Sequence, residues 1–129
     1  MAETKKILIA EDDPASRELL LEVLESLGYE VIPACNGAEA LQKVSETCPD
    51  LVLLDIQMPI LDGFAVLRQI RQDPRLAALP VMALTAYAMK EDQGRMLLAG
   101  FDAHIAKPID VTGLRLQIEH YLRTKVNGR

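Results

Sequence analysis

The chain has 129 residues, 50% of them hydrophobic, with a formal net charge of −5. This length suits one globular domain with one core, spanning residues 1–129, and the lack of a Lys/Arg cluster argues against direct nucleic-acid binding. No apolar run approaches the roughly 18–20 residues of a membrane span, and the four apolar residues after Met1–Lys6 are too few for a signal peptide, so a cytoplasmic protein is expected.

Lys6-Ile-Leu-Ile-Ala10 is a short apolar run, the mark of a strand buried on both faces. It breaks off in three carboxylates, Glu11, Asp12 and Asp13. Pro14 suits a first helical turn with Asp13 as its cap. Leu19, Leu20, Val23, Leu24 and Leu27 recur at helical spacing, and Gly28 closes that helix. Tyr29 to Cys35 reads as a second strand, in which Pro33 removes a backbone donor and so predicts a sheet edge. Asn36-Gly37 is a turn signal. A short helix follows, with Ala40, Leu41 and Val44 on one side, stopping before Pro49. Cys35 and Cys48 lack metal-type spacing and read as reduced, partly buried thiols, not as a disulfide or zinc site.

Asp50 to Asp55 is a third strand, apolar until it too ends in a carboxylate. Ile56 to Gly63 is a shaped loop, and a helix with Phe64, Leu67 and Ile70 inward ends near Asp73-Pro74. Pro80 introduces a fourth strand, Val81 to Thr85. Lys90 to Ala99 is helical and Gly100 stops it, although Gly94 inside costs about 1 kcal/mol relative to alanine. Ala103 to Ala106 is a short fifth strand. Val111, Leu114, Ile118, Tyr121 and Leu122 stripe a final helix that ends near Lys125.

Strands alternating with helices predict an α/β fold, a doubly wound parallel sheet of five strands with helices on both faces. An edge position for strand two fits the flavodoxin-like order 2-1-3-4-5. Ligands of such sheets bind beyond the carboxyl ends of the strands, where strand order reverses. Here that point lies between strands one and three, where Glu11, Asp12 and Asp55 emerge. Converging carboxylates raise one another's pKa unless a cation compensates, and Mg²⁺ suits one or two carboxylates plus waters and a phosphate. Taken singly, each acid is as well explained as a solvated turn residue; the three together at the switch point are not. Thr85 and Lys107 leave strands four and five at the same rim, where a hydroxyl and an ammonium suit an anionic phosphoryl group.

The chain resembles the receiver domains of two-component response regulators over nearly its whole length. The matching stretches are Ile7-Leu-Ile-Ala-Glu-Asp-Asp13, Leu53-Leu-Asp-Ile-Gln-Met-Pro59 with Asp62-Gly63, Leu84-Thr-Ala86 and Ala106-Lys-Pro108. The resemblance implies that Asp55 accepts a phosphoryl group from a sensor histidine kinase or a histidine phosphotransfer protein. It implies Mg²⁺ held by Glu11, Asp12, Asp55 and the backbone carbonyl of Gln57, with Glu11 acting directly or through water. Thr85 would bond the phosphoryl oxygen and Lys107 would pair with it, the peptide before Pro108 being cis. Output would pass through protein contact on the fourth helix, fifth strand and fifth helix, where Arg95, His104 and Arg115 are candidate surface residues. His104 replaces the aromatic residue common in relatives, and either moves inward with Thr85 or stays exposed at the edge.

Gln57 and Tyr87, two residues beyond Asp55 and Thr85, imply slow self-dephosphorylation, with packing of Tyr87 on its loop as the alternative. A stand-alone receiver is expected, similar to single-domain regulators of the cell-division type; a module of a hybrid histidine kinase is the alternative. Two other classes compete. An aspartyl phosphatase would usually want a second acid where Gln57 stands. A phosphorylation-independent adaptor would tend to lose the acid pair or the lysine, and both are kept.

Overall fold

A computed structural model describes residues 4–58, 60–86 and 90–127 of the chain. Among these, β1 (Lys6–Ala10), β2 (Glu30–Ala34), β3 (Leu51–Asp55), β4 (Val81–Thr85) and β5 (Ala103–Ala106) alternate with α1 (Pro14–Ser26), α2 (Gly37–Thr47), α3 (Gly63–Gln72), α4 (Lys90–Ala99) and α5 (Val111–Asn127). The strands are all parallel and lie in the order β2-β1-β3-β4-β5. Pro33 stands opposite Ile9 in the β1–β2 ladder, on the edge strand its missing donor predicts.

Successive strand residues point to opposite faces, and the core divides accordingly. Leu8, Ala10, Val52, Leu54 and Ala83 join Val44, Val66 and Met96 of α2, α3 and α4 on one face. Ile7, Ile9, Leu53, Leu84 and Ile105 join Leu24 and Ile118 of α1 and α5 on the other. A strand covered on both faces needs apolar residues at every position, which is why these strands read as unbroken apolar runs.

Local signals fix the helix ends. Asp13 accepts a hydrogen bond from Ser16 N at 2.9 Å, and Gly28, at φ 97°, takes the left-handed turn after α1 that a side chain disfavours. Asn36 is not simply a turn residue: its side chain caps α2 by accepting from Glu39 N at 2.8 Å. Glu39 reaches back to accept from Cys35 N at 2.6 Å, a variant of the capping box. Asp62 caps α3 through Ala65 N at 2.9 Å.

Three expectations are corrected. Cys35 and Cys48 are free thiols, but both are exposed, because Cys35 borders a helix cap and Cys48 occupies the left-handed C-cap of α2. Leu19 is 55% exposed and Val111 45% exposed, so neither belongs to the buried stripe of its helix. Both lie at the border of an apolar stripe, where periodicity alone does not fix the facing. Smaller differences are that β2 starts at Glu30, β3 at Leu51, and α5 runs on to Asn127.

Arg71 joins the far end of the molecule. From α3 it donates to the carbonyls of Leu79 at 2.7 Å and Gly100 at 2.9 Å, and to Asp102 at 2.9 Å. Asp102 also accepts from Val81 N at 2.8 Å, so one guanidinium links the entries to β4 and β5.

Candidate functional site

The apolar run of β1 ends at Ala10, and the next residue, Glu11, is still 1% exposed. Its Oε2 accepts from Asp13 N at 3.2 Å. Asp12 points outward and is exposed. Arg17 on α1 fixes this turn from below, donating to the carbonyls of Glu11 at 2.8 Å and Asp12 at 3.4 Å. Because β1 and β3 are neighbours in register, with Ala10 opposite Leu54, the end of β3 brings Asp55 beside this acid pair.

Asp55 is 5% exposed, and its Oδ1 accepts from Gln57 N at 3.0 Å. The adjoining loop is held close: Gly63 N donates to Ile56 O at 2.9 Å. A Cβ at Gly63 would stand 2.6 Å from Asp55 O, so only glycine lets α3 start against the end of β3.

One carboxylate oxygen from each of Glu11, Asp12 and Asp55 lies within 4.8 Å of the others. Lys107, beyond β5, sends its ammonium into this group, 2.6 Å from Glu11 Oε1 and 3.0 Å from Asp55 Oδ2. The Lys107–Pro108 peptide is cis. Thr85 ends β4 at 5% exposure, and Lys107 N donates to Thr85 O at 2.9 Å, so the main chain couples these two rim residues.

The electrostatics follow from burial. Desolvation pushes the Glu11 carboxyl above its ordinary value, contact with Asp55 adds to the rise, and the Lys107 ammonium opposes it. Burial disfavours the Lys107 ammonium, yet its hydrogen bonds to Glu11 and Asp55 outweigh that and raise its pKa. Three carboxylates against one ammonium leave the group anionic. An all-oxygen donor set with an excess of negative charge fits a hard divalent cation such as Mg²⁺. Asp12 and Gln57 also line an adjoining cavity of about 470 Å³.

Glu11, Asp12, Asp55 and Lys107 thus come together as their strand ends predict, with Thr85 beside them and Gln57 bonded through its N–H to Asp55. His104 is half-buried on β5 and faces a separate cavity of about 350 Å³ with Asp110 and Gln117. Arg115 is exposed. Tyr87, and Pro59 of the matching loop, lie outside the described residues. The sequence reading missed Arg17, whose role depends on three-dimensional reach, and Asp62 as a cap, which its place just before a helical apolar pattern signals. No helix among the described residues is long and apolar enough to cross a membrane.

Comparison with known proteins agrees with this geometry. The response regulator receiver domain family matches residues 7–119. The polar-differentiation response regulator DivK of Brucella ovis is 40% identical over 119 residues, covering 92% of this chain and 97% of that protein. Among solved structures, a putative response regulator from Chloroflexus aurantiacus superposes with a TM-score of 0.90 at 32% identity, covering 94% of this chain and 99% of the other. The receiver domain of a sensor histidine kinase from Pseudomonas aeruginosa PAO1 has a TM-score of 0.86 at 31% identity, covering 93% and 98%; that protein carries a magnesium ion coordinated in its active site cleft. Receiver domains are signalling modules rather than classical enzymes. With these residues at its strand ends, this fold and this match, the chain belongs to the response regulator receiver domain family of two-component systems.

Proposed function

We propose that the chain is a single receiver domain, residues 1–129, that takes a phosphoryl group on Asp55 in a Mg²⁺-dependent reaction. The observation that carries this reading is the buried Asp55 carboxylate, 3.0 Å from the Lys107 ammonium and grouped with Glu11 and Asp12. The donor is a phosphohistidine on a sensor histidine kinase or a histidine phosphotransfer protein. An Asp55 carboxylate oxygen attacks phosphorus, the P–N bond breaks, and the imidazole leaves with the electron pair. Phosphoryl transfer asks the protein chiefly for in-line positioning and charge neutralisation. Glu11, Asp12, Asp55 and the backbone carbonyl of Gln57 would hold Mg²⁺, which would supply neutralisation of the phosphoryl oxygens.

The chain's own residues do the rest. Gln57 N, bonded to Asp55 Oδ1, fixes the nucleophile's rotation. Lys107 exchanges part of its contact with Glu11 for a phosphoryl oxygen, and the Thr85 hydroxyl donates to another. The acyl phosphate so formed is labile, which suits a signal that must decay. Tyr87, two residues beyond Thr85 in the sequence, is bulky and brings no carboxylate to orient water, so self-dephosphorylation is slow. The state is read by a downstream protein at α4, β5 and α5, in the cytoplasm.

The test is intact mass after incubation with acetyl phosphate, with and without Mg²⁺, for wild type and Asp55→Asn. A Mg²⁺-dependent phosphate adduct that the variant lacks is the expected result. No adduct on folded wild type would overturn the reading in favour of a phosphorylation-independent adaptor.

A further inference from the structure

The turn that carries the acid pair lies in a gap between two hydrogen-bonding systems. Sheet pairing on the β2 side ends with Glu11 N, which donates to Ala34 O at 3.1 Å. Helix bonding in α1 starts with Arg17 N, which donates to Asp13 O at 2.9 Å. The carbonyls of Glu11 and Asp12 fall between, and the Arg17 side chain donates to both, through Nη1 at 2.8 Å and 3.4 Å. One half-buried residue thus binds three successive carbonyls and spans the whole acid turn.

The three carboxylates differ in what holds them. Glu11 and Asp55 are buried, and each bonds Lys107 and a backbone amide, Asp13 N for Glu11 and Gln57 N for Asp55. Asp12 is exposed, so packing gives it no such hold, and the direction of its side chain follows from its main chain. Groups standing behind the ligands of a metal orient those ligands, and losing one typically costs about 10–100-fold in affinity.

Such a brace matters differently to different ions. Mg²⁺ demands near-octahedral oxygen geometry at about 2.0–2.1 Å, whereas Ca²⁺ accepts six to eight oxygens at about 2.3–2.6 Å in flexible arrangements. A turn held at three carbonyls keeps Asp12 from swinging out to the longer distances and larger ligand sets that suit Ca²⁺. The positive charge of Arg17 repels both ions alike, because they carry the same charge, so charge alone gives no preference. We propose that Arg17 is a positioning residue that sets a preference for Mg²⁺ over Ca²⁺ by holding the main chain of the acid turn. This rests on the reading of Glu11, Asp12 and Asp55 as cation ligands.

The experiment titrates the full chain with MgCl₂ and, separately, with CaCl₂, and takes each Kd from the backbone amide NMR signals around Asp12 and Asp55. The proteins are wild type, Arg17→Ala and Arg17→Lys, each also unfolded in urea without divalent ions. Arg17→Ala is expected to weaken Mg²⁺ binding about tenfold and Ca²⁺ binding by a smaller factor, so the preference for Mg²⁺ falls. Arg17→Lys keeps the charge but not the fork, and should recover part of that preference. Should Arg17→Ala fail to fold, the partial loss in Arg17→Lys carries the test. An unchanged ratio of the two affinities overturns the proposal. With equal weakening and a lower urea midpoint, Arg17 is a general brace of the fold; with equal tightening, it is only a nearby charge. If neither ion moves the signals around Asp55 in wild type, the cation reading itself falls, and this one with it.

Discussion

The ammonium of Lys107 lies 2.6 Å from Glu11 Oε1, across 96 positions of sequence. Glu11 is the more buried partner, and its raised pKa means that its ionised form works against the fold. Its contribution to stability is full below the ordinary value of 4.5 and is lost as pH rises through the folded value. Lys107 offsets this at neutral pH, because its own raised pKa gives a contribution that is full below 10.5 and is lost only as pH rises through the higher folded value. Lys107→Met therefore removes the compensating charge from Glu11 and Asp55. It should cost about 1–3 kcal/mol in urea unfolding at neutral pH without divalent ions, and less in acid, where Glu11 is protonated in both states.

Mg²⁺ should stabilise the fold by binding the native carboxylate group. At a hundredfold excess over Kd the linkage is about 2.7 kcal/mol, a rise of roughly 5–10 °C in the melting midpoint of a domain this size. Thermal unfolding with and without MgCl₂ reads this directly. Asp12→Asn and Asp55→Asn should each shrink the shift; a full shift in both would place the ion elsewhere.

Glu39 gives an acid-side signature remote from the site. The backbone N–H of Cys35 holds its carboxyl below the ordinary value of 4.5. A depressed carboxylate contributes stability above 4.5, and that contribution is lost as pH falls through the lower folded value. Glu39→Gln should flatten the stability curve in that window and change it least well below it. Equilibrium unfolding from neutral pH down to the onset of acid unfolding measures the difference, and parallel curves would exclude the brace.

Arg71→Ala should be among the costlier surface-adjacent substitutions. It strips donors from the carbonyls of Leu79 and Gly100 and leaves Asp102 with the Val81 amide. The expected loss is about 2–4 kcal/mol, seen as a lower urea midpoint. Lysine has one compact ammonium in place of the fork and should recover only part of it.

Much of this was legible in the chain because each active strand ends where an apolar run breaks into a polar residue. Ala10 to Glu11, Leu54 to Asp55 and Leu84 to Thr85 each mark such a break. The bounds of α4 and β5 follow from Gly100 and from the apolar residues after it. What stayed hidden is side-chain reach. Nothing local says that Lys107 is already engaged by Glu11, that Arg17 holds two carbonyls, or that Arg95 lies over the Phe64 ring. Asn36-Gly37 signals the bend that leads into α2, and what the pair alone does not tell is that Asn36 also caps the helix through Glu39 N.

Gly37 itself marks a closer constraint. A Cβ there would stand 2.1 Å from the carbonyl oxygen of Leu61 and 2.8 Å from a Val66 methyl. Gly37→Ala must therefore push α2 away from the loop that follows Asp55, at a cost of about 1–3 kcal/mol. Urea unfolding measures the loss, and a slower adduct rate with acetyl phosphate would show that the displacement reaches the site.

The span from Glu11 to Lys107 carries a consequence for the life of the molecule. Strands β1 and β5 sit on either side of β3 and β4, so Lys107 reaches Glu11 only after β3 and β4 have docked between them. Long-range pairings of this kind form late, since chain closure must precede them. A chain still emerging during synthesis, or one stalled partway, presents Asp55 without its ammonium. On the proposed role of Asp55, competence to receive a signal is thereby tied to completion of the fold, and immature copies should not draw phosphoryl groups away from finished ones.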